Sequence, residues 1–189
     1  MNFYHGLRHF GRRVISLYPR DVEVRMEENL PDKAIFASNH LSFLDPLVMA
    51  CYLDKDIYFI AHSGFEGTFL GSLISFGNNI ILNGDMRVVF EQANERLKQG
   101  YLGIFPEGKR SFEGVGDFRK GVEKLARYTQ SPVVPIAIQG TDEIWPIDRA
   151  FPNILYKGRI KLSVGRAIDC SQINLAEKAR EEVLRLLSR

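Results

Sequence analysis

The sequence has few of the features that mark secreted, nucleic-acid-binding or membrane-spanning proteins. Its 189 residues include two cysteines, Cys51 and Cys170, which are too few and too far apart for a disulfide framework or a zinc site. The net charge of +2 gives no broad basic field for nucleic acid. No apolar run reaches the roughly 20 residues of a membrane-spanning helix, and arginines at positions 8, 12 and 13 interrupt any signal peptide. We therefore expect a reduced, intracellular protein.

What is present is the composition of a globular domain. Hydrophobic residues make up 45% of the chain and charged residues 25%, which excludes a disordered or fibrous protein. Strands are predicted at 22–26, 33–38, 57–61, 79–82, 102–105, 133–138 and 159–164, and helices at 46–53, 85–98, 119–129 and 173–188. Such alternation is typical of an α/β fold. We predict a single domain over residues 21–189, built on a mostly parallel mixed sheet covered by helices.

Residues 1–20 predict a separate N-terminal amphipathic helix. They contain four arginines and no acidic residue, and their apolar side chains recur at helical spacing: Phe3, Leu7, Phe10, Val14 and Leu17. One interpretation is a helix that packs on the domain with its arginines in solvent. The other is an interfacial helix, with its apolar side in a membrane and its arginines on anionic headgroups. Both interpretations can hold together, because a short helix can share its apolar side between protein and lipid.

Residues 39–46 are the first candidate for chemistry. His40 and Asp45 are five residues apart, so on one helix they would lie on different faces. They can meet only if His40 lies in a turn after a strand and Asp45 stands at the start of the next helix, where Asp45 before Pro46 is typical of an N-cap. The spacing of Ser42 and Asp45 also matches a capping box one turn earlier. A carboxylate on one imidazole nitrogen leaves the other nitrogen as a general base. The alternative is a capping aspartate beside a structural histidine.

Residues 105–111, with the sequence Phe-Pro-Glu-Gly-Lys-Arg-Ser, are the second candidate. They follow the carboxyl end of a predicted strand, where open α/β sheets bind ligands. Lys109 and Arg110 are donors for a phosphate, and Gly108 lets backbone N–H groups approach an anion; a charged surface turn is the alternative. The spacing from Gly103 to Lys109 also matches most of a P-loop, but Arg110 stands where that motif needs Ser or Thr for Mg²⁺. A degenerate P-loop nucleotide-binding protein is therefore the weaker alternative.

Together the two segments resemble the first and third sequence blocks of the glycerolipid acyltransferases, and the chain is similar to their 1-acylglycerol-3-phosphate acyltransferase branch. The resemblance covers about residues 31–169 and continues in order through Phe118-Arg119-Lys120-Gly121, Val133-Val134-Pro135-Ile136 and Gly140-Thr141-Asp142. A histidine and an aspartate five apart are common by chance. Four blocks in the right order at plausible separations are much more specific.

The resemblance implies acyl transfer from acyl-CoA or acyl carrier protein to the hydroxyl of a lysophospholipid, most simply 1-acyl-sn-glycerol-3-phosphate, in phospholipid biosynthesis and without a cofactor. It implies that His40 removes the hydroxyl proton and that Asp45 orients His40. The substrate-binding residues that it implies are Asn39, Glu107, Gly108, Lys109, Arg110 and Ser111. We expect no metal site and no nucleic-acid partner, and a peripheral position on the cytoplasmic side of a membrane, where the lipid acceptor resides.

The second block of the family is where this chain departs from the pattern. His62 and Asn83 stand at the two positions that are usually basic in the family, and Lys109 replaces the more usual Thr. Arg87 is a candidate substitute for the missing cation. Otherwise the acceptor is a different lysolipid, such as an intermediate of a glycolipid or aminolipid pathway. The apolar, Gly-rich region 67–82 could line the acyl chain or form ordinary core.

Overall fold

Strands and helices alternate along the described part of this computed structural model, which comprises residues 11–13, 21–62, 79–82, 84–110, 114–149, 151–153, 155 and 158–189. The strands are Asp21–Met26 (β1), Ile35–Ser38 (β2), Ile57–His62 (β3), Ile80–Leu82 (β4), Tyr101–Ile104 (β5), Val133–Gln139 (β6) and Arg159–Val164 (β7). The helices are Asp45–Tyr52 (α1), Met86–Leu97 (α2), Gly121–Thr129 (α3), Thr141–Ile144 (α4) and Leu175–Leu187 (α5). All the strands and helices predicted for residues 21–189 are present, and α4 is an addition that the sequence analysis did not predict.

The strands form one sheet in the order β1-β7-β6-β2-β5-β3-β4. Neighbouring strands are parallel except for β6 and β7, which run antiparallel. The predicted mostly parallel mixed sheet is therefore confirmed. Strand β2 lies between β5 and β6 and runs parallel to both. As a result, the loops that follow these three strands meet at one edge of the sheet.

Helices cover both faces of the sheet because the central strands are apolar on both sides. Along β2, Ile35 belongs to the core that α2, α3 and α5 cover, whereas Phe36 belongs to the core that α1 and α4 cover. This alternation is the two-residue period of a strand. The helices contribute apolar residues three or four positions apart, such as Val89, Ala93 and Leu97 of α2.

Of the predicted N-terminal helix, residues 11–13 are described, and they are helical. Gly11 lies against Leu47 and Cys51 of α1, and Nε of Arg12 donates a hydrogen bond to the carbonyl of Cys51 at 2.7 Å. Residues 11–13 thus contact α1, and the N-terminal amphipathic helix as a whole stays a prediction. The rest of residues 1–20, and residues 67–78 of the proposed acyl-chain region 67–82, lie outside the described residues. No helix in the described ranges is long and apolar enough to cross a membrane.

Candidate active site

His40 lies in the turn between β2 and α1, and its imidazole meets the carboxylate of Asp45 as predicted. Nδ1 of His40 lies 2.8 Å from Oδ2 of Asp45. The imidazole is 17% exposed, whereas the carboxylate is fully buried. Because an ionised carboxylate only accepts hydrogen bonds, Nδ1 carries the hydrogen and Nε2 keeps its lone pair. The neutral ring is therefore in the tautomer that a general base requires.

The carboxylate of Asp45 is held by more than the imidazole. Its Oδ2 also accepts the backbone N–H groups of Leu41 at 2.7 Å and Ser42 at 2.8 Å. Its Oδ1 accepts the hydroxyl of Thr141 at 2.5 Å. The predicted N-cap was wrong by one position, because Leu44 is the N-cap and Asp45 is the first helical residue. The carboxylate turns back to the loop that carries His40 instead of capping the helix.

Thr141 is a site residue that the sequence analysis missed. It is fully buried at the first position of α4. The turn at Gly140 brings Thr141 to this position. Gly140 has a φ of +84°, and a side chain there would collide with the carbonyl oxygen of Arg159, so only glycine suits the turn. The sequence signal was the triplet Gly140-Thr141-Asp142, which had been noted as part of the resemblance without a role.

We expect Thr141→Val to lower kcat by about tenfold and the free energy of unfolding by about 1–3 kcal/mol, because valine leaves a buried carboxylate oxygen without its donor. Thr141→Ser keeps the hydroxyl and should restore both quantities. Steady-state kinetics and urea unfolding measure the two effects. A wild-type kcat for Thr141→Val would contradict a role for this hydrogen bond in orienting the dyad.

Phe105, the first residue after β5, fixes the plane of the imidazole. Its ring stacks on that of His40 with centroids 4.0 Å apart and an interplanar angle of 19°. Phe59 stacks behind Phe105, with centroids 6.1 Å apart and an angle of 7°. One face of the imidazole is therefore covered by an aromatic row. The hydrogen bond to Asp45 and the stacking on Phe105 together restrict rotation of the imidazole about both of its side-chain torsion angles.

Glu107 and Asn39, both expected to contact substrate, make contacts that support the loop of His40. Glu107 is 4% exposed; its Oε1 accepts the backbone N–H of His40 at 3.0 Å, and its Oε2 that of Gly116 at 2.9 Å. Asn39 forms two 2.9 Å hydrogen bonds with the backbone N–H and carbonyl of Ile138 in β6. We expect both residues to act through the position of His40.

Arg110 is a cation held close to the dyad. Its guanidinium carbon lies 3.5 Å from the centroid of the Phe43 ring, a cation–π contact. Burial lowers the pKa of Arg110, and the charge of Asp45 acts in the opposite direction. Its Nη1 is buried and has no hydrogen-bond partner within the part of the chain that the structure describes. A buried guanidinium N–H without a partner costs free energy, which an anionic ligand would offset.

Two further basic residues, Lys109 and Arg119, lie in or against the loop that carries Arg110. Lys109 is exposed. Gly108 has a φ of +72°, and a Cβ there would lie 2.7 Å from the guanidinium carbon of Arg119, so Arg119 lies directly against the loop. Ser111 lies outside the described residues.

Arg87, the candidate substitute for the missing cation of the second block, lies in the first turn of α2. Its side chain is 86% exposed and paired with Glu91 at 3.3 Å. Asn83 lies outside the described residues, while His62 is the last residue of β3. The alternative of a degenerate P-loop is not supported by the local geometry, because α3 begins only at Gly121 and the third-block loop does not lead directly into it. Within the described ranges, no group of three or more His, Cys, Asp or Glu residues could hold a metal ion.

Curated proteins with similar sequences are named as acyltransferases. The chloroplastic 1-acyl-sn-glycerol-3-phosphate acyltransferase LPAT1 of Arabidopsis thaliana is 33% identical over 181 residues, which cover 89% of this chain and 50% of that protein. The corresponding BAT2 protein of Brassica napus is 32% identical, with coverages of 89% and 52%. The chain thus spans about half the length of these curated relatives.

A solved structure and a family model extend the comparison. The crystal structure of the 1-acyl-sn-glycerophosphate acyltransferase PlsC from Thermotoga maritima matches with a TM-score of 0.78 and 26% identity, covering 98% of this chain and 77% of that one. The model of the acyltransferase family matches residues 21–139, a range that contains the dyad and the loop of Arg110. The chain therefore belongs to the acyltransferase family.

Proposed function

We propose that this protein transfers a fatty acyl group from a thioester, acyl-CoA or acyl carrier protein, to the free hydroxyl of 1-acyl-sn-glycerol-3-phosphate in phospholipid biosynthesis. The relatives whose names carry this activity support the reaction class. The dyad supports the chemistry, because esterification of a hydroxyl by a thioester needs a base and no redox or metal step. Acyl-CoA and acyl carrier protein present the same thioester to this chemistry.

In this reaction, Nε2 of His40 accepts the proton of the acceptor hydroxyl while the oxygen of that hydroxyl attacks the carbonyl carbon of the thioester. The tetrahedral intermediate collapses by breaking the carbon–sulfur bond, and the imidazolium returns the proton to the departing thiolate. The products are the ester and the free thiol. Asp45 keeps the imidazole in the required tautomer and stabilises the imidazolium by its charge, 2.8 Å away.

The single observation that favours a phosphorylated acceptor is the buried Nη1 of Arg110, which has no hydrogen-bond partner among the described residues. Arginine presents a planar fork that suits phosphate oxygens. Phe43 holds that fork through the 3.5 Å cation–π contact, on the same loop as His40. A phosphate bound there would place the hydroxyl of the same glycerol near the dyad.

The test is an Arg110→Ala variant, assayed with acyl-CoA or acyl carrier protein against phosphorylated and unphosphorylated lysolipids. We expect the KM for 1-acyl-sn-glycerol-3-phosphate to rise about tenfold to a hundredfold, because a charge-assisted hydrogen bond is lost. The KM for the acyl donor should remain unchanged. Arg127→Ala is the matched control, since Arg127 is 53% exposed and paired with Glu123 on α3.

Three outcomes contradict parts of this proposal. Equal rises in KM for donor and acceptor would mean that Arg110 serves the site generally. A wild-type protein that prefers an unphosphorylated lysolipid would identify a different acceptor, the alternative raised by His62 and Asn83. Absence of acyl transfer from either donor to any lysolipid would reject the reaction itself.

The proposal includes a peripheral position at the cytoplasmic surface of a membrane, where the lysolipid acceptor is presented. The positive charge of residues 1–20 supports attraction to anionic lipid. Nucleic acid is not a partner in this proposal.

A further inference from the structure

Two large apolar side chains extend into solvent from the loop that follows α4. Phe151 is 80% exposed and Leu155 is 79% exposed; we call this pair the apolar tip. The loop is tied to the domain near both residues. The backbone N–H of Asn153 donates to the carbonyl of Ile144 at 2.6 Å, and that of Leu155 donates to the side-chain carbonyl oxygen of Asn153 at 3.2 Å. The fold thus holds the apolar tip away from its cores.

The sheet topology puts the apolar tip at the same edge as the dyad. Because β7 runs antiparallel to β6, the connection between them starts and ends beside the carboxyl end of β6. Strands β2 and β5 run parallel with β6 in the sheet, and the loops after them carry His40 and Arg110. All three loops therefore emerge on one side of the protein.

A short chain of contacts joins this loop to the site. The hydroxyl of Ser42 donates to the carbonyl of Trp145, the residue after α4, at 2.8 Å. The rings of Trp145 and Phe43 meet edge to face with centroids 5.5 Å apart. The guanidinium of Arg110 in turn lies over the ring of Phe43. The indole N–H of Trp145 donates to the carbonyl of Arg149 at 3.1 Å, two residues before Phe151.

The chemistry of the loop fits a lipid surface better than a protein partner. Arg149, beside the apolar tip, is exposed, and residues 145–158 contain two basic residues and one acidic residue. Exposed apolar side chains flanked by positive charge suit the boundary between acyl chains and anionic headgroups. A stable contact between two protein chains buries about 1,200 Å² or more, which a tip of two side chains does not provide.

We propose that the loop after α4 is a membrane-contact loop, in which Phe151 and Leu155 insert into the interface of an anionic bilayer directly beside the active site. This inference rests on the proposed function, because a lysolipid acceptor is taken from a bilayer. Insertion at this point brings the phosphate of a lipid in the leaflet that the protein contacts close to Arg110. It is independent of any membrane contact made by residues 1–20.

The test compares the double variant Phe151→Ser/Leu155→Ser with Ile173→Ser in the full chain. Ile173 is as exposed as the apolar tip, at 76%. It follows Ile168, which pairs with Val133, the first residue of β6. Ile173 therefore lies near the amino end of β6, at the opposite edge of the sheet from the dyad. Binding is measured by sedimentation with vesicles of phosphatidylcholine and phosphatidylglycerol. We expect the double variant to bind at least about tenfold more weakly and Ile173→Ser to bind like the wild type.

Activity separates membrane contact from a structural role. The double variant should lose turnover on a vesicle-borne acceptor but retain turnover on a short-chain, water-soluble acceptor and an unchanged melting temperature. Insertion is probed directly by the quenching of tryptophan fluorescence by brominated lipids. Quenching should be stronger in Phe151→Trp than in the wild type, whose one tryptophan is Trp145, and Ile173→Trp should show no such increase.

The inference is overturned by vesicle binding of the double variant equal to that of the wild type, or by equal loss of activity on both acceptors. A wild-type dimer that the double variant abolishes, seen by analytical ultracentrifugation, would reassign the apolar tip to a contact between copies. If the wild type binds vesicles through the apolar tip but acylates no lysolipid, the proposed function fails and the membrane contact stands.

Discussion

Replacing His40 by alanine is expected to lower kcat/KM for acyl transfer by about 10²- to 10⁴-fold, the usual contribution of a positioned general base. The melting temperature should change little. His40 is partly exposed in a turn, and the turn keeps the hydrogen bonds from Leu41 and Ser42 to the carboxylate of Asp45. Rates with a saturating thioester donor and a thermal melt of the same preparation measure the two effects.

Chemical rescue distinguishes a lost base from a displaced loop. The alanine variant leaves a flat space between Phe105, which stacked on the imidazole at 4.0 Å, and the carboxylate of Asp45. Added imidazole should bind there and restore part of the rate, increasingly as the pH rises and more of it is neutral. A His40→Ala protein that turns over like the wild type, with unchanged melting, would remove His40 from the mechanism.

The strands and helices of residues 21–189 were predictable from the sequence because their signals are local. Each predicted element in this range has bounds within two residues of those in the structure, since β-branched runs and helical spacing reflect burial on a sheet or on one side of a helix. The helix α4 was missed because four residues are too few to show a helical period. The N-cap at Asp45 was off by one because Pro46 is tolerated anywhere in the first turn, where backbone N–H groups lack partners.

The candidate site was predictable in part. The contact of His40 with Asp45 followed from their spacing around a turn. The donor to the second oxygen of Asp45 is Thr141, 96 residues away, and the acceptor for the backbone of His40 is Glu107, 67 residues away. Contacts at such separations depend on which strands are neighbours in the sheet. Neither spacing nor periodicity specifies that order, and the stacking of Arg110 on Phe43 is equally non-local.

Asp45→Asn is expected to lower kcat by about 10²- to 10⁴-fold while the protein still folds. The amide fits the hydrogen-bond pattern in one orientation. Its oxygen can accept the three donors that meet Oδ2, namely the backbone N–H groups of Leu41 and Ser42 and Nδ1 of His40. Its NH₂ then faces the hydroxyl of Thr141, which can accept as well as donate. The tautomer of His40 survives, but the negative charge that stabilises the imidazolium is gone.

Asp45→Ala makes the contrast sharp, because it removes the hydrogen bonds as well as the charge. The two backbone N–H groups and the hydroxyl of Thr141 then lose their partner at a site that is 0% exposed. We expect a loss of about 3 kcal/mol in the free energy of unfolding, against a much smaller loss for asparagine. Urea unfolding and kcat on both variants separate the two roles. If Asp45→Asn turned over like the wild type, the carboxylate would serve only to build the turn, and the charge assigned to it in the mechanism would be unused.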